Sequence, residues 1–270
     1  MEEYVSDNTE IIKVNDKQIP TIIAYDFDKQ QLIIGKDARI ESLKGNSNIY
    51  NFKLDLGQTD SFFREKKKYW YAIPYADGKR GVEKHETFTP KEIITRYISN
   101  LIQDVPLPEE LMVGVPAITD KKWSERFRRH MREVFEDISK EVGGDLKPQF
   151  FPEPFAIFQY YRHIEKAFEA KGTKENILVI DIGAGTFNSC IIQTTSEGYL
   201  SRSGVNQHPL GLYAEEKGGF FLDKEIVKHL VNKAKERGVA WKEDPLSRIG
   251  SSKIPILLLV EDAKIQLSSA

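Results

Sequence analysis

Residues 177–193 read Ile177-Leu-Val-Ile-Asp181-Ile-Gly183-Ala-Gly185-Thr186-Phe-Asn188-Ser-Cys190-Ile-Ile-Gln193. The saturated apolar run 177–180 predicts a buried strand. It leads into a carboxylate, then Gly183-Ala184-Gly185-Thr186, and a second apolar run resumes. The pattern is strand, tight turn, strand, with Asp181 and Thr186 at the mouth of the turn. Glycine at 183 and 185 lets the backbone come close to a ligand. Consecutive backbone N–H groups in such a turn form a concavity suited to phosphate oxygens. A neighbouring carboxylate suits hydrated Mg²⁺, which is usually bound through one or two carboxylates plus phosphates. The chemical reading is a nucleoside triphosphate site. Asp-x-Gly-x-Gly is equally a good hairpin turn, so these residues alone leave both readings standing. No lysine follows the glycines as in a Walker loop, and the turn leads into a strand-like run and not into the helix of a dinucleotide fingerprint.

Composition narrows the setting. The 270 residues are enough for one large or two small domains. Apolar content of 40% and charged content of 30% fit a soluble globular chain. A net charge of -2 argues against a general nucleic-acid or membrane-surface binder, which needs a basic excess. The single cysteine, Cys190, sits in a strand pattern and reads as a small core residue. With no apolar stretch after Met1, no signal peptide is expected. The longest apolar run, residues 254–260, is too short to span a bilayer. Cytoplasmic localisation is the expectation.

Outward from the glycine turn, residues 10–14, 21–24 and 31–34 are short, β-rich and separated by polar turns, predicting an antiparallel meander. Residues 51–80 alternate aromatics with charges and predict an irregular, partly β region. Thr89-Pro90-Lys91-Glu92 is a helix start, with a cap, a proline in the first helical position and a capping box. Residues 111–115 predict a short buried strand closed by Pro116. A helix over 121–142 carries Trp123, Phe127, Met131, Phe135, Ile138 and Val142 on one face; Arg126, Arg128, Arg129 and Arg132 on the other read as a solvated face. A further helix contains Phe158, Tyr161, Ile164 and Phe168. Residues 171–176 are polar and turn-like, a boundary between halves. Helices near 222–237 and after Pro255 complete the chain, with a polar linker through Ser251-Ser252 between them.

Six segments line up in order with one family. Asp181-Ile-Gly-Ala-Gly-Thr-Phe-Asn188 resembles the second phosphate loop, Asp-Leu-Gly-Gly-Gly-Thr-Phe-Asp, of the heat shock protein 70 chaperones, members of the actin-like ATPase superfamily. Val115-Pro116-Ala117 is similar to that family's Val-Pro-Ala strand end. Glu153-Pro154-Phe155-Ala156 resembles its Asn-Glu-Pro-Thr-Ala-Ala segment, and Pro20-Thr-Ile-Ile-Ala-Tyr25 its early Pro-Ser-Ile-Ile-Ala-Tyr strand. Gly218-Gly219 with Asp223 resembles its Gly-Gly-Glu-Asp-Phe-Asp turn. Glu261-Asp-Ala-Lys264-Ile-Gln-Leu-Ser268-Ser269 is similar to its Glu-x-Ala-Lys-x-x-Leu-Ser-Ser helix.

The resemblance implies an α/β, two-lobed actin-like ATPase (ribonuclease H-like) nucleotide-binding domain. Residues 1–172 would form most of the first lobe and 173–270 part of the second. It implies ATP/ADP and Mg²⁺ as cofactors and slow hydrolysis. Lys53 would stand near the γ-phosphate; by charge alone it reads as a surface lysine. Glu153 would order the attacking water or the metal shell, and Thr186 would lie near the γ-phosphate and lytic water. Asp181 would meet Mg²⁺ through water. Gly183, Ala184 and Gly185 would offer N–H donors to phosphate, with Gly218 and Gly219 nearby. Glu261, Lys264 and Ser268 would flank adenine and ribose. Pro116 matches a switch proline coupling nucleotide state to a peptide-binding domain. Partners would be nucleotide, co-chaperones and unfolded clients, with neither nucleic acid nor membrane.

Departures accompany the matches. Asn188 stands where the family has Asp and removes a carboxylate from the metal side. Ala184 replaces a glycine, and Phe220-Phe221 an acidic pair. The family's first phosphate hairpin, Asp-Leu-Gly-Thr-Thr, is not found before Pro20, so the expectation is a domain incomplete at both ends. The competing readings are a degenerate, interaction-only relative without ATPase activity, and, on the shared fold, an actin-like filament protein or a sugar kinase.

Overall fold

The computed structural model describes residues 19–26, 29, 31–43, 48–74, 82–103, 111–163, 176–193, 211–215, 217–239 and 256–268. The strand expected at 10–14, the helical positions Ile164 and Phe168, residues 171–175 of the polar boundary and the linker through Ser251-Ser252 lie outside them.

The described residues form a mixed α/β structure with four small sheets. The first is antiparallel, with β1 (Ile22–Asp26) between β2 (Gln31–Ile34) and β3 (Asn48–Tyr50). Helix α1 (Gly35–Leu43) follows β2 directly. The region that reads as irregular from sequence contains a 3₁₀ turn, Lys53–Gly57, a short helix α2 (Asp60–Arg64) and strand β4 (Tyr69–Pro74), which pairs antiparallel with β5 (Val82–Phe88). Strand β6 (Leu111–Val115) and strand β7 (Pro148–Pro152) pair in parallel across helix α4 (Lys121–Val142).

Local sequence accounts for the helix ends. Helix α3 (Pro90–Ile102) carries the full capping box: Glu92 N–H donates to Thr89 Oγ1, and Thr89 N–H donates to the Glu92 carboxylate at 2.6 Å. Helix α4 begins at Asp120, whose carboxylate accepts from the N–H groups of Lys122 and Trp123. It ends at Gly143 in the left-handed conformation, φ 69°. Its apolar face enters the largest core cluster with β1, β3, the 3₁₀ turn, β4 and α3; Phe63, Tyr69, Ile93, Val134 and Ile138 are completely enclosed there.

Its arginine face is more engaged than the pattern implies. Arg126 Nε donates to the Gly57 carbonyl at 2.7 Å, Arg129 pairs with Asp60, and the Arg132 guanidinium lies 4.9 Å from the Phe150 ring centroid. Four-residue spacing identifies the outward face of a helix but not what is packed beside it.

The glycine-turn segment forms the third sheet. Strands β8 (Asn176–Ile182) and β9 (Phe187–Gln193) are a hairpin, and β10 (Gly211–Glu215) adds on the far side of β9, all antiparallel. Only one face of β8 is covered. Val179, Cys190 and Ile192 pack on Phe155 and Phe158 of helix α5 (Glu153–His163), whereas Leu178, Ile180 and Ile182 are more than half exposed. A continuous apolar run therefore makes a one-sided strand here and not the buried strand expected from composition. Burial pushes the Cys190 thiol up to about 11, as suits an inert core residue. Helices α6 (Gly219–Glu236) and α7 (Ile256–Ser268) complete the described elements.

Candidate phosphate-binding site

The hairpin turn is closed by Gly183 N–H donating to the Thr186 carbonyl at 2.9 Å. Its other carbonyls point to the start of α6. Gly219 N–H donates to the Gly183 carbonyl at 2.9 Å, and Phe220 N–H donates to the Ala184 carbonyl at 2.7 Å. The first N–H groups of a helix have no partner within the helix, and here the turn's carbonyl oxygens satisfy two of them. A β-carbon on Gly218 would lie 2.5 Å from the Gly183 oxygen and 2.6 Å from the Thr186 nitrogen, so glycine is required for this docking. The N–H groups of Ala184, Gly185 and Thr186 meet no acceptor among the described residues. They are the donors that a phosphate would use.

Below the turn, polar side chains from four elements converge. Lys53, at the start of the 3₁₀ turn, forms an ion pair with Glu153, the first residue of α5. Glu153 is largely enclosed, its stem against Gly114 of β6. Its second carboxylate oxygen accepts from Asn188 Nδ2 at 3.2 Å. The same nitrogen donates to Asp181 Oδ2 at 3.2 Å and to Thr186 Oγ1 at 3.0 Å. Asn188 is fully buried and Thr186 nearly so. Asn188 Oδ1 accepts from the backbone N–H of Ala117 at 3.1 Å, which ties the cluster to the end of β6.

Lys53, Glu153, Asp181 and Thr186, predicted from widely separated segments, are thus brought into one connected group around the glycine turn. Gly218 and Gly219 sit beside it, their backbone committed to the turn. Glu261 and Lys264 lie on α7, each with its own partner. Arg39 Nη1 donates to Glu261 at 3.1 Å, and Lys264 Nζ donates to Asp223 at 2.7 Å, with the Gly219 carbonyl 3.5 Å away. Ser268 is the last residue of α7. Pro116 lines a cavity of about 250 Å³ with Val115, Ala117, Ser124, Arg128 and Leu212.

From sequence, Asn188 reads only as a lost carboxylate; in the structure it is the centre of the group. The signal for that place is alternation: Asn188, Cys190 and Ile192 share one face of β9, and that face is the buried one. The residues fit an Mg²⁺ ion that arrives on phosphate oxygens and meets Asp181 through water. They do not fit one coordinated by protein groups alone, since an amide stands between the two carboxylates and no group of three acidic, histidine or cysteine residues suited to a metal occurs among the described residues.

The chain is similar to DnaK chaperones. It is 25% identical to the chaperone protein DnaK of Halobacterium salinarum over 94% of its own length and 34% of that protein. Identity is 27% to the DnaK proteins of Cyanidioschyzon merolae and Thermus thermophilus, over 93% of this chain and 39% and 38% of theirs. The chain spans little more than a third of the length of these curated relatives. No family model matches it. Among the described residues no helix is long and apolar enough to cross a membrane.

Proposed function

We propose that this stretch is part of the nucleotide-binding region of a heat shock protein 70-type chaperone, an actin-like, two-lobed ATPase domain that binds ATP and ADP with Mg²⁺ and hydrolyses ATP slowly. The observation that carries the reading is the connected group Lys53, Glu153, Asn188, Asp181 and Thr186 beneath a glycine turn whose N–H groups of Ala184, Gly185 and Thr186 have no acceptor among the described residues. Collinear similarity to DnaK over 93–94% of the chain supports it.

Phosphoryl transfer to water asks mainly for positioning and charge stabilisation. In this reading the turn's N–H groups hold phosphate oxygens. Lys53 leaves Glu153 to neutralise charge at the terminal phosphate. Glu153, released from that pair, orients the attacking water together with the Thr186 hydroxyl. Mg²⁺, when bound with the nucleotide, supplies further charge neutralisation, with Asp181 reaching it through water. Glu261, Lys264 and Ser268 flank the nucleoside. Co-chaperones and unfolded clients engage the wider protein, and the setting is cytoplasmic.

Titration calorimetry with MgATP tests binding, and phosphate release tests turnover. Saturable binding is expected, with Lys53→Ala and Thr186→Ala slowing turnover at least tenfold while binding persists. Absence of both heat and thermal stabilisation overturns the site. Asn188 favours a second reading, a degenerate or interaction-only relative without ATPase activity, because it leaves the cluster with one carboxylate fewer than the resemblance calls for. Binding without any turnover selects it.

A further inference from the structure

We infer that Asn188 is a positioning residue whose amide takes the place of a cation between Glu153 and Asp181, so that no divalent ion binds at that point by protein groups alone and an ion there arrives with nucleotide phosphates. The last clause rests on the nucleotide reading above; the first does not.

The orientation of the amide is fixed by its partners. A backbone N–H can only donate, so the atom 3.1 Å from Ala117 N must be the carbonyl oxygen. The NH₂ group then faces three oxygens, from Glu153, Asp181 and Thr186, at 3.0–3.2 Å. Its two hydrogens are shared among three acceptors, two of them ionisable carboxylates. Glu153, which also pairs with Lys53, and Asp181 are part-buried carboxylates that converge on this one amide, and like charges brought together are held more easily with a donor between them. Here the donor is covalently part of β9. Its hydrogens occupy the point between the two carboxylates that a cation would otherwise take.

The same bonds position three elements. Asn188 joins the first residue of α5, the end of β8 and the backbone just after Pro116, while its own hairpin carries the phosphate turn. A shift of Glu153 toward a ligand therefore moves the acceptor set of one amide that also holds the end of β6.

The substitution Asn188→Asp is nearly isosteric. It keeps the acceptor for Ala117 and replaces the donor with a third carboxylate oxygen. This variant is expected to acquire the cation requirement that the natural chain lacks.

The test is Mn²⁺ alone, without nucleotide, on the 270-residue protein. Free Mn²⁺ is followed by its electron paramagnetic resonance signal and protein stability by thermal melting. The natural chain is expected to leave the Mn²⁺ signal undiminished and its melting temperature unmoved. Asn188→Asp is expected to bind Mn²⁺ at least tenfold more tightly and to melt higher as Mn²⁺ is added. Stoichiometric Mn²⁺ binding by the natural chain overturns the inference, as does a folded Asn188→Asp protein indifferent to Mn²⁺. If Asn188→Asp does not fold, the exchange Asp181→Asn with Asn188→Asp decides, since it restores one amide among the same groups. Folding of the exchange variant without added metal upholds the inference, and its failure to fold overturns it. No readout uses ATP, so failure of nucleotide binding is a separate result.

Discussion

A β-carbon built on Gly57 would lie 1.9 Å from Trp123 Cε2, inside the indole ring, although the backbone there needs no left-handed angle. Gly143 is the reverse case, with φ 69° and nothing within 4 Å of the added carbon. The two positions separate contact from conformation. Gly57→Ala is expected to cost about 3 kcal/mol, because overpacking has to move Trp123 or the 3₁₀ turn behind Lys53. Gly143→Ala should cost only about 1 kcal/mol, the strain of a left-handed alanine. Urea unfolding of both variants checks the order, and equal costs would remove the contact argument. Gly218 belongs with Gly57, but its neighbours are the backbone atoms of the glycine turn. Gly218→Ala is therefore expected to lower the melting temperature and, on the proposed function, to weaken MgATP binding at least tenfold. Loss of stability with unchanged nucleotide affinity would detach α6 from the site.

At the scale of elements, boundaries are legible in the sequence wherever side chains signal to their own backbone. The capping box of Thr89 and Glu92 and the apolar spacing over Lys121–Val142 are enough to locate α3 and α4. The hairpin around Gly183–Thr186 is legible for the same reason, its turn chemistry being local. Burial is not, because covering a strand depends on residues distant in sequence; Val179 is enclosed and Ile180 is open in one apolar run. Thr89→Ala is expected to cost about 1 kcal/mol by removing the α3 cap, and amide exchange in the first turn of α3 should rise with it.

The contacts of α4 with α2 add a pH dependence at the same scale. Arg64 donates to both Glu133 oxygens, at 2.9 and 2.5 Å, and its guanidinium holds the Glu133 carboxyl below its ordinary value of 4.5 against opposing desolvation. The His130 and Arg129 bonds likewise hold the Asp60 carboxyl low. A carboxyl whose folded value is depressed contributes stability that is present above the unfolded value and lost as pH falls through the folded one. The urea midpoint should therefore fall below pH 4.5, and Glu133→Gln should flatten part of that fall. An unchanged acid slope in the variant would assign the dependence elsewhere.

At the scale of the whole molecule, the sequence reading sets a boundary near residue 172, and one hydrophobic cluster takes members from both sides of that position. Ile22 and Ala24 of β1, Ala38 of α1 and Tyr50 of β3 pack with Val227 and Val231 of α6 and Leu257, Leu258 and Val260 of α7. The Tyr50 and Phe220 rings meet edge-on with centroids 6.2 Å apart, and Arg39 reaches Glu261. Such joining is invisible to periodicity, which reports which face of an element is apolar but not which partner covers it. It carries a consequence for cooperativity. If α7 is part of the same packed unit as β1, a cavity in α7 must loosen β1. Leu257→Ala, at a side chain 2% exposed, is expected to cost about 2–5 kcal/mol and to accelerate amide exchange in both α7 and β1. Leu259→Ala, on the same helix but 47% exposed, should change stability by less than about 0.5 kcal/mol. Faster exchange confined to α7 in the Leu257 variant would mean that the two sides unfold separately, and the glycine turn would then be held by α6, the Asn188 bonds and the packing of its hairpin on α5.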